Sequence, residues 1–378
     1  MPKMHGRGFG DIEMLNRFKE PTFYDNVDKL IDWSKIERIL KRYYKKNKNA
    51  VGNPAYPALR MFKILLVQRW ENYSDPQMEF ALRDKLSVIK FTGFSLSDET
   101  PDHSTICRFR RSLPRECMEE LLLEINRQLE EKGFIVRGRK ERVVDATLVR
   151  SACRPRKYIE GEIVEDRKEE NVESGGGNSI EKEEGSEAKE EVNYSKDKEA
   201  SWVKKGKRYH YGHKVMLSVD IKGFFHNAII ETAKVSDMKL LIPLLSKMEL
   251  CEETLIIGDK GFSSKENREY IEKIGCVDLV MHKKPRGKEF PEFLKNLNKA
   301  ISKVRYVVEQ SIGILKLHLG LERFRYIGQE ENLKEVFIAG MALNAKKAVR
   351  LMVWAYFNRR GASKLSKKQV KINKMIKN

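Results

Sequence analysis

The chain has 378 residues, of which 40% are hydrophobic, and that length is enough for two folded units. A formal net charge of +19 indicates a polyanionic partner, usually nucleic acid, with a basic ribosomal or membrane-surface protein as the alternative. Five cysteines without a CxxC pair argue against a disulfide framework or a zinc ribbon and fit a reducing cytoplasm.

Neither a signal peptide nor a membrane span is predicted. Residues 1–10 lack the apolar run of a signal peptide. Residues 336–357 are the most apolar late stretch, but Lys346, Lys347 and Arg350 interrupt it, so it predicts a core or amphipathic helix.

Residues 1–135 are predicted to form a mainly helical, DNA-binding N-terminal domain. Apolar side chains at helical spacing fill residues 57–70, and Asp75-Pro76 is a typical start for the next helix. Thr100-Pro101-Asp102 repeats that start signal and opens a short helix over 103–113.

The short helix over 103–113 is basic, since it carries Arg108, Arg110 and Arg111. Two helices with a break between them and a basic second helix resemble a helix-turn-helix reader, so these arginines are candidate DNA contacts. A basic face that is simply solvated is the alternative.

A strongly acidic segment interrupts the middle of the chain. Residues 160–200 hold 15 acidic and six basic side chains, and three glycines at 175–177 break the run. Such low hydrophobicity with high charge cannot offset the entropy of ordering, so a flexible acidic insertion is predicted at about 155–203. The remainder of the chain is therefore more basic than the net charge suggests.

From residue 136 to about 350 the pattern predicts an α/β domain, followed by a basic tail over 351–378. A short strand over 142–146 holds Asp145 at its end, and a later hairpin turns at Lys222-Gly223. The other elements alternate in type: helices over 238–248, 264–274 and 292–319, and strands over 254–257 and 277–281. This order is typical of a mixed sheet with helices packed on it.

Two aspartates follow predicted buried strands. Asp145 comes after Val143-Val144, and Asp259 comes after Leu255-Ile256-Ile257-Gly258. Polar residues at the ends of buried strands are where ligands bind in open sheets, so both are candidate site residues. Each aspartate alone is weak evidence for a functional site, because aspartate commonly ends a strand by starting a turn.

A third acidic residue, Glu309, lies on the predicted helix over 292–319. The apolar residues of that helix are spaced three and four apart and define one buried stripe. At about 100° per residue, Arg305, Glu309 and Lys316 fall within about 40° of one another, along one edge of that stripe. An Arg–Glu pair on a solvated helix face is the alternative.

Several motifs, taken in order, resemble those of the transposases of the insertion-sequence-five type, a branch of the DDE group. They are Pro101-Asp102-His103-Ser104-Thr105-Ile106-Cys107-Arg108-Phe109-Arg110, Val144-Asp145-Ala146-Thr147, Tyr211-Gly212-His213-Lys214, Gly258-Asp259-Lys260-Gly261-Phe262 and Arg305-x3-Glu309-x6-Lys316. The resemblance covers about 57–349, and ordered motifs at this spacing are more specific than any one alone. Ser302 stands where the family's third block has a tyrosine, which departs from the pattern at a DNA-contacting position.

The resemblance implies a ribonuclease-H-like catalytic domain. Asp145, Asp259 and Glu309 would be the catalytic residues and the ligands of two Mg²⁺ ions, for which Mn²⁺ can substitute. Hard cations prefer carboxylate oxygens, and two such ions about 4 Å apart can activate water and stabilise the leaving oxygen of a phosphodiester. Asp145 would bridge both ions, and the other two acids would each complete one shell.

Cationic side chains near these acids are candidate DNA contacts. Arg305 and Lys316 would hold DNA phosphates beside the metal ions. Lys260 and His282 are lesser candidates, and for His282 the alternative is a satisfied histidine at a strand end.

A separate basic and aromatic cluster comprises Lys204, Lys205, Lys207 and Arg208, followed by aromatic residues at 209–211. Such a cluster can hold DNA. A core strand is the alternative for its aromatic residues.

The resulting hypothesis is a transposase that binds the terminal inverted repeats of an insertion sequence, cuts the element end and joins its 3′-hydroxyl to target DNA. Two element ends imply at least a dimer in the active complex, and a cytoplasmic, nucleoid-associated location in a prokaryote is expected. The alternatives are a ribonuclease-H-like DNA nuclease that cuts without joining and a DNA-binding regulator without enzymatic activity. The helical N-terminal region favours the transposase, since a plain nuclease needs no unit for recognising element ends.

Overall fold

The computed structural model describes residues 20–44, 55–135, 141–153, 155, 158–160, 162–164, 195–284, 287 and 289–375, together with Gly10. Most of the predicted acidic insertion and the last residues of the predicted basic tail lie outside these ranges. No helix within them is both long and apolar enough to cross a membrane.

Helices come first among the described residues, and strands dominate the middle of the chain. The first helices are α1 (Phe23–Leu30), α2 (Trp33–Tyr43), α3 (Ala58–Trp70), α4 (Asp75–Asp84), α5 (Leu86–Thr92), α6 (His103–Ser112) and α7 (Arg115–Glu131). The strands are β1 (Glu141–Arg150), β2 (Tyr158–Glu160), β3 (Glu162–Val164), β4 (Ser201–Lys205), β5 (Arg208–Val219), β6 (Phe225–Thr232), β7 (Leu255–Gly258) and β8 (Val277–Val280). The later helices are α8 (Leu241–Leu245), α9 (Lys265–Lys273), α10 (Glu292–Leu317) and α11 (Gln329–Met375).

Helices α4 and α6 start where the sequence predicts. At α4, Ser74 and Gln77 form a capping box, in which each side chain accepts a hydrogen bond from the other residue's backbone N–H, and Pro76 stands in the first turn. At α6, the Asp102 carboxylate accepts a hydrogen bond from the backbone N–H of Thr105 at 2.7 Å. These caps satisfy N–H groups that a helix start leaves without a partner, which fixes the two boundaries.

The longer strands form a mixed sheet in the order β4-β5-β1-β7-β8, with β6 also paired to β5. β5 is antiparallel to β1, β4 and β6, whereas β7 is parallel to β1 and β8. The predicted hairpin turns at Gly223, whose φ of 76° is a conformation that glycine adopts without strain. The predicted fold class is confirmed in its architecture, an α/β mixed sheet flanked by helices and preceded by a mainly helical region.

Both faces of the sheet are covered. Val143 and Leu217 belong to a hydrophobic cluster that includes residues of α10 and α11 on one face. Val144 and Met216, their neighbours along the strands, belong to a second cluster with α8 and α9 on the other face. This alternation follows from the two-residue repeat of a strand.

β1 is longer than the sequence predicts, which moves Asp145 from the end of the strand to its middle. β5 pairs with β1 from Val143 as far as Arg150, so the strand pairing continues for five residues beyond Asp145. The parallel pairing with β7 stops at Val143. Asp145 therefore lies just beyond the end of a neighbouring strand, where its side chain stays partly accessible.

α11 is the helix on which the N-terminal helices and the sheet meet. Asn344 accepts a hydrogen bond from the backbone N–H of Phe225 and donates one to the Asn126 side chain, both at 2.7 Å. Trp70 of α3 donates from Nε1 to the Ala342 carbonyl at 2.9 Å. α11 is thereby tied to β6, α7 and α3.

Buried polar contacts strengthen this junction. Arg69 of α3 forms a buried ion pair with Glu335 of α11, and Lys334 donates to the Leu113 carbonyl at 3.1 Å. One hydrophobic cluster runs from α1 through the sheet to α11. The division of the chain into two domains near residue 135 stays a prediction, since the helices before it and the sheet after it share this core.

Candidate active site

Two neighbouring parallel strands bring two of the predicted acids together. In the register of β1 and β7, Val143 lies opposite Ile257. Asp145 and Asp259 stand two residues further along each chain, and the backbone of Asp259 is still extended. Both carboxylates therefore leave the same side of the sheet at the same level.

α10 crosses this edge of the sheet and adds Glu309 together with Arg305. The Arg305 guanidinium lies 2.9 Å from Glu309 Oε1. The same group lies 3.3 Å from Asp145 Oδ2 and 3.5 Å from Asp259 Oδ1. Three acidic residues that are far apart in the sequence thus meet around one cation, and we call these three the acidic cluster. Glu309 is 54% exposed, so the cluster opens to solvent on its side.

The donor chemistry of the acidic cluster suits a hard divalent cation, since Mg²⁺ and Mn²⁺ prefer carboxylate oxygens. Within the described ranges, however, no three acidic, histidine or cysteine side chains lie close enough together to hold a metal ion. Arg305 accounts for this spacing, because its guanidinium takes the central position between the three carboxylates. The residues fit a metal site by type and by their shared edge of the sheet, but their side chains are arranged around an arginine.

Burial dominates the electrostatics of Asp145. It raises the pKa of the Asp145 carboxyl above the ordinary value. The positive charge of Arg305 and a hydrogen bond from the Ala146 N–H at 2.9 Å act in the opposite direction, and the nearby charge of Asp259 adds to the rise. A cation at this position therefore favours the charged form of a carboxyl that burial disfavours.

Comparison with known proteins decides the family. The family model described as transposase DDE domain matches residues 137–345, which is more than half of the chain. The chain belongs to the DDE transposase family. A second model, described as transposase domain (DUF772), matches residues 12–112 of the transposase.

The transposase also has a named relative and a similar solved structure. It is 33% identical over 243 residues to the transposase for insertion sequence element IS1106 of Neisseria meningitidis serogroup B, with 64% of this chain and 76% of that protein covered. The cryo-EM structure of a piggyBac transposase synaptic complex with hairpin DNA is similar with a TM-score of 0.43 and 10% identity, covering 88% of this chain and 75% of that one. The prediction of a transposase enzyme is confirmed by the family, and the insertion-sequence-five type stays a prediction.

Lys316 of the transposase reaches the sheet beside the acidic cluster. Its ammonium donates a hydrogen bond to the Leu148 carbonyl of β1 at 2.7 Å. Burial lowers the pKa of Lys316 below its ordinary value. Of the three residues predicted along one edge of α10, Arg305 and Lys316 therefore contact β1, and Glu309 is paired with Arg305. Lys260, by contrast, is exposed in the turn that follows Asp259.

The three arginines predicted as DNA contacts on α6 differ in their exposure to solvent. Arg110 is 2% exposed, and its guanidinium donates to the Asp75 carboxylate at 2.8 and 3.1 Å. It also lies 4.0 Å from the centre of the Tyr326 ring. The predicted DNA contact is wrong for Arg110, because this side chain ties α6 to α4 and to the segment before α11. Arg108 and Arg111 are exposed.

The strand motif Tyr211-Gly212-His213-Lys214 anchors the chain where it returns from the predicted acidic insertion. The His213 ring lies 2.9 Å from the Asp197 carboxylate, and the Tyr211 hydroxyl donates to the Asp197 carbonyl at 2.6 Å. A Cβ at position 212 would meet the Val149 carbonyl of β1 at 2.2 Å, which requires glycine there. These three residues of the motif are structural.

Asp237 is a candidate that the sequence analysis missed. Its carboxylate pairs with Lys214, the last residue of that motif, at 2.6 Å. A Cβ at Gly261 would lie 3.9 Å from a carboxylate oxygen of Asp237 and of Asp259 alike, so a fourth acid borders the acidic cluster. The available signal was an aspartate at a predicted helix start, which does not distinguish a site residue from a helix cap.

His282, a lesser candidate for DNA contact, follows β8. Its backbone exchanges hydrogen bonds with the Asn298 side chain at 2.9 and 3.0 Å. Burial lowers the pKa of its ring, which favours the neutral imidazole and leaves no charge for a phosphate at neutral pH.

Proposed function

We propose that this transposase is of the insertion-sequence-five type, cuts the ends of its element and joins their 3′-hydroxyl groups to target DNA. The observation that carries the proposal is the meeting of Asp145, Asp259 and Glu309 around Arg305. When bound there, two Mg²⁺ ions, or Mn²⁺ in their place, would supply an activated water and a stabilised leaving oxygen.

The positions of the three acids suit different roles. Asp145 lies on β1, the central strand of the sheet, which pairs with the strand before Asp259 and contacts the helix that carries Glu309. It is therefore the candidate for bridging both ions, and Asp259 and Glu309 would each complete the shell of one. Three carboxylates at one edge of the sheet repel one another, which favours the uptake of cations.

Cations of α10 would hold the DNA beside the acids. Arg305 already contacts the acidic cluster, and Lys316 faces β1 further along the same helix edge. A phosphate backbone that follows α10 would meet a positive charge on each side of Glu309. The exposed Lys260 and, on α6, Arg108 are further proposed contacts, together with Arg111.

The proposed partners are duplexes that carry the terminal inverted repeats, followed by target DNA. The relative with 33% identity is named as the transposase of an insertion sequence element, which supports this choice. The helical region before β1 would recognise the repeats. Because an element has two ends, the active complex would contain at least two copies, working on nucleoid DNA in a prokaryotic cytoplasm.

Cleavage and joining on the element's own ends test this proposal. The purified chain would be incubated with Mg²⁺, labelled duplexes ending in the inverted repeats that flank its gene, and a supercoiled target plasmid. We expect cut ends followed by joined products, and neither in a chelator. Cut ends without joined products would indicate a nuclease, and binding without cutting would indicate a regulator.

End binding is expected to weaken steeply with salt, because lysine and arginine contacts to phosphates release counterions. For roughly six or more phosphate contacts, the affinity should fall about 10³-fold or more between about 50 and 200 mM salt. Fluorescence anisotropy of a labelled end duplex over several salt concentrations measures this slope. A flat response would contradict a phosphate-dominated interface.

A further inference from the structure

The hairpin of β4 and β5 projects beyond the rest of the sheet. β1 pairs with β5 only from Gly212 onwards, and β6 only from His213 onwards. Among the described residues, the two strands pair with each other before that point, as far as Lys205 opposite Arg208, and the Tyr211 carbonyl also accepts a hydrogen bond from the Ser151 N–H. Residues 201–212 therefore form a two-stranded arm, which we call the basic ribbon.

The tip of the basic ribbon is strongly cationic. Lys204, Lys205, Lys207 and Arg208 are all exposed, and the ribbon contains no acidic residue. The Lys204 ammonium lies 5.5 Å from the centre of the Tyr209 ring, which is itself 41% exposed. The tip thus presents four positive charges together with an aromatic face.

The basic ribbon continues the strand pair that carries Asp145, because Gly212 at its base lies opposite Arg150, five residues further along β1 than Asp145. The positive charge of Lys205 adds to burial in lowering the pKa of Lys316 on α10. Lys316 is in turn bonded to Leu148, on the strand that carries Asp145. Positive charge therefore continues from Arg305 along α10 to the ribbon.

Edge protection does not account for this distribution of charge. Lysines on an edge strand can prevent edge-to-edge aggregation, and that would explain Lys204 and Lys205 on β4. It does not call for Lys207 in the turn or for Arg208 directly opposite Lys205, since like charges across a strand pair destabilise it. An isolated two-stranded arm is only marginally stable in water, so a row of repelling charges along it needs a polyanionic partner.

We propose that the basic ribbon is a DNA-binding arm that lies in the major groove of the element end. The major groove of B-DNA admits a two-stranded ribbon, and lysine and arginine along such a ribbon reach the phosphates on both rims. The inference rests on the proposed function, since it takes duplex DNA at the acidic cluster as given. It adds a contact surface separate from α6 and from the acids.

A charge-removal variant of the basic ribbon tests the inference. The full chain would carry Lys204→Gln, Lys205→Gln, Lys207→Gln and Arg208→Gln together. We expect end binding to weaken on the order of 100-fold near physiological salt, and the slope of log affinity against log salt to become shallower by about two to four, because each lost phosphate contact removes about 0.9. Thermal unfolding should be unchanged, since all four side chains are exposed.

A matched control removes four exposed lysines away from the proposed DNA interface: Lys239→Gln and Lys247→Gln on either side of α8, and Lys265→Gln and Lys273→Gln on α9. This control has the same net charge as the ribbon variant. If the slope of log affinity against log salt becomes equally shallow in both variants, the inference is overturned, because the change would then depend on total charge and not on the position of the ribbon. If the ribbon variant does not fold, the pair Lys207→Gln and Arg208→Gln should show about half of the slope change.

The remaining outcomes separate the ribbon from the proposed function. A wild-type chain that cuts and joins ends, with a ribbon variant of unchanged slope, overturns the ribbon alone. A wild-type chain that binds no end duplex at any salt concentration overturns the proposed function itself. A ribbon variant that loses self-association in size-exclusion chromatography while keeping the salt slope would make the ribbon a protein contact, against this inference.

Discussion

Glu309→Gln is expected to slow cleavage of the element ends by a factor on the order of 10³ or more, while end binding stays nearly unchanged. Glutamine keeps the shape of the side chain but loses the anionic oxygens that a divalent cation requires. More than half of the Glu309 side chain is exposed, so the fold should tolerate the change. Cleavage of labelled end duplex in Mg²⁺ and anisotropy of the same duplex without Mg²⁺ measure the two quantities.

Glu292→Gln is the matched control, because Glu292 is an exposed glutamate in the first turn of the same helix. It should cut like the wild-type chain. Loss of end binding in Glu309→Gln would show that this side chain supports the DNA interface and not the chemistry. Cleavage within about tenfold of wild type would remove Glu309 from the proposed metal site.

Features set by local chemistry could be predicted from the sequence, and features set by distant partners could not. The starts of α4 and α6 and the turn at Gly223 depend on residues a few positions away, and all three stand where the sequence predicts them. The end of β1 depends on β5, which lies on the other side of the acidic insertion in the sequence. Hydrophobicity after Asp145 carries no sign of that pairing, and so the strand was predicted too short.

For Arg110, the helical spacing predicts a buried position, whereas its charge predicts an exposed one. Ile106, Phe109 and Leu113 are buried on or beside α6, and Arg110 stands between them at a position of the same helical stripe. Its spacing therefore placed it on the inward face, while its charge suggested the outward one. The compensating partner, Asp75, lies at the start of another helix, and no local pattern links the two.

The identities of the three acids were predictable because each stands in a recognisable motif, whereas their present counterion was not. Arg305 was expected to hold DNA phosphates from the edge of α10. Its contacts with Asp145 and Asp259 arise from the packing of α10 across the ends of β1 and β7, which the spacing along one helix cannot reveal. A single guanidinium thus has two proposed partners, the acidic cluster and the DNA.

Arg305→Gln is expected to tighten Mn²⁺ binding to the DNA-free protein on the order of tenfold or more, and to weaken end cleavage. In the wild-type chain a metal ion must compete with a guanidinium within 3.5 Å of all three acids. Without that charge the carboxylates lack a counterion, so the metal-free protein loses stability and gains affinity for a cation. Cleavage should fall although metal binds better, because the proposed phosphate contact is lost as well.

Calorimetric titration with Mn²⁺, and thermal unfolding with and without Mn²⁺, separate these effects. Lys303→Gln is the matched control, since it removes one positive charge from an exposed position of the same helix and should leave both quantities near wild type. Arg305→Gln should unfold at a lower temperature without metal and gain more stability when Mn²⁺ is added. Equal Mn²⁺ affinities in Arg305→Gln and the wild-type chain would mean that arginine and cation do not compete, and that the acids bind metal in an arrangement other than the one they adopt around Arg305.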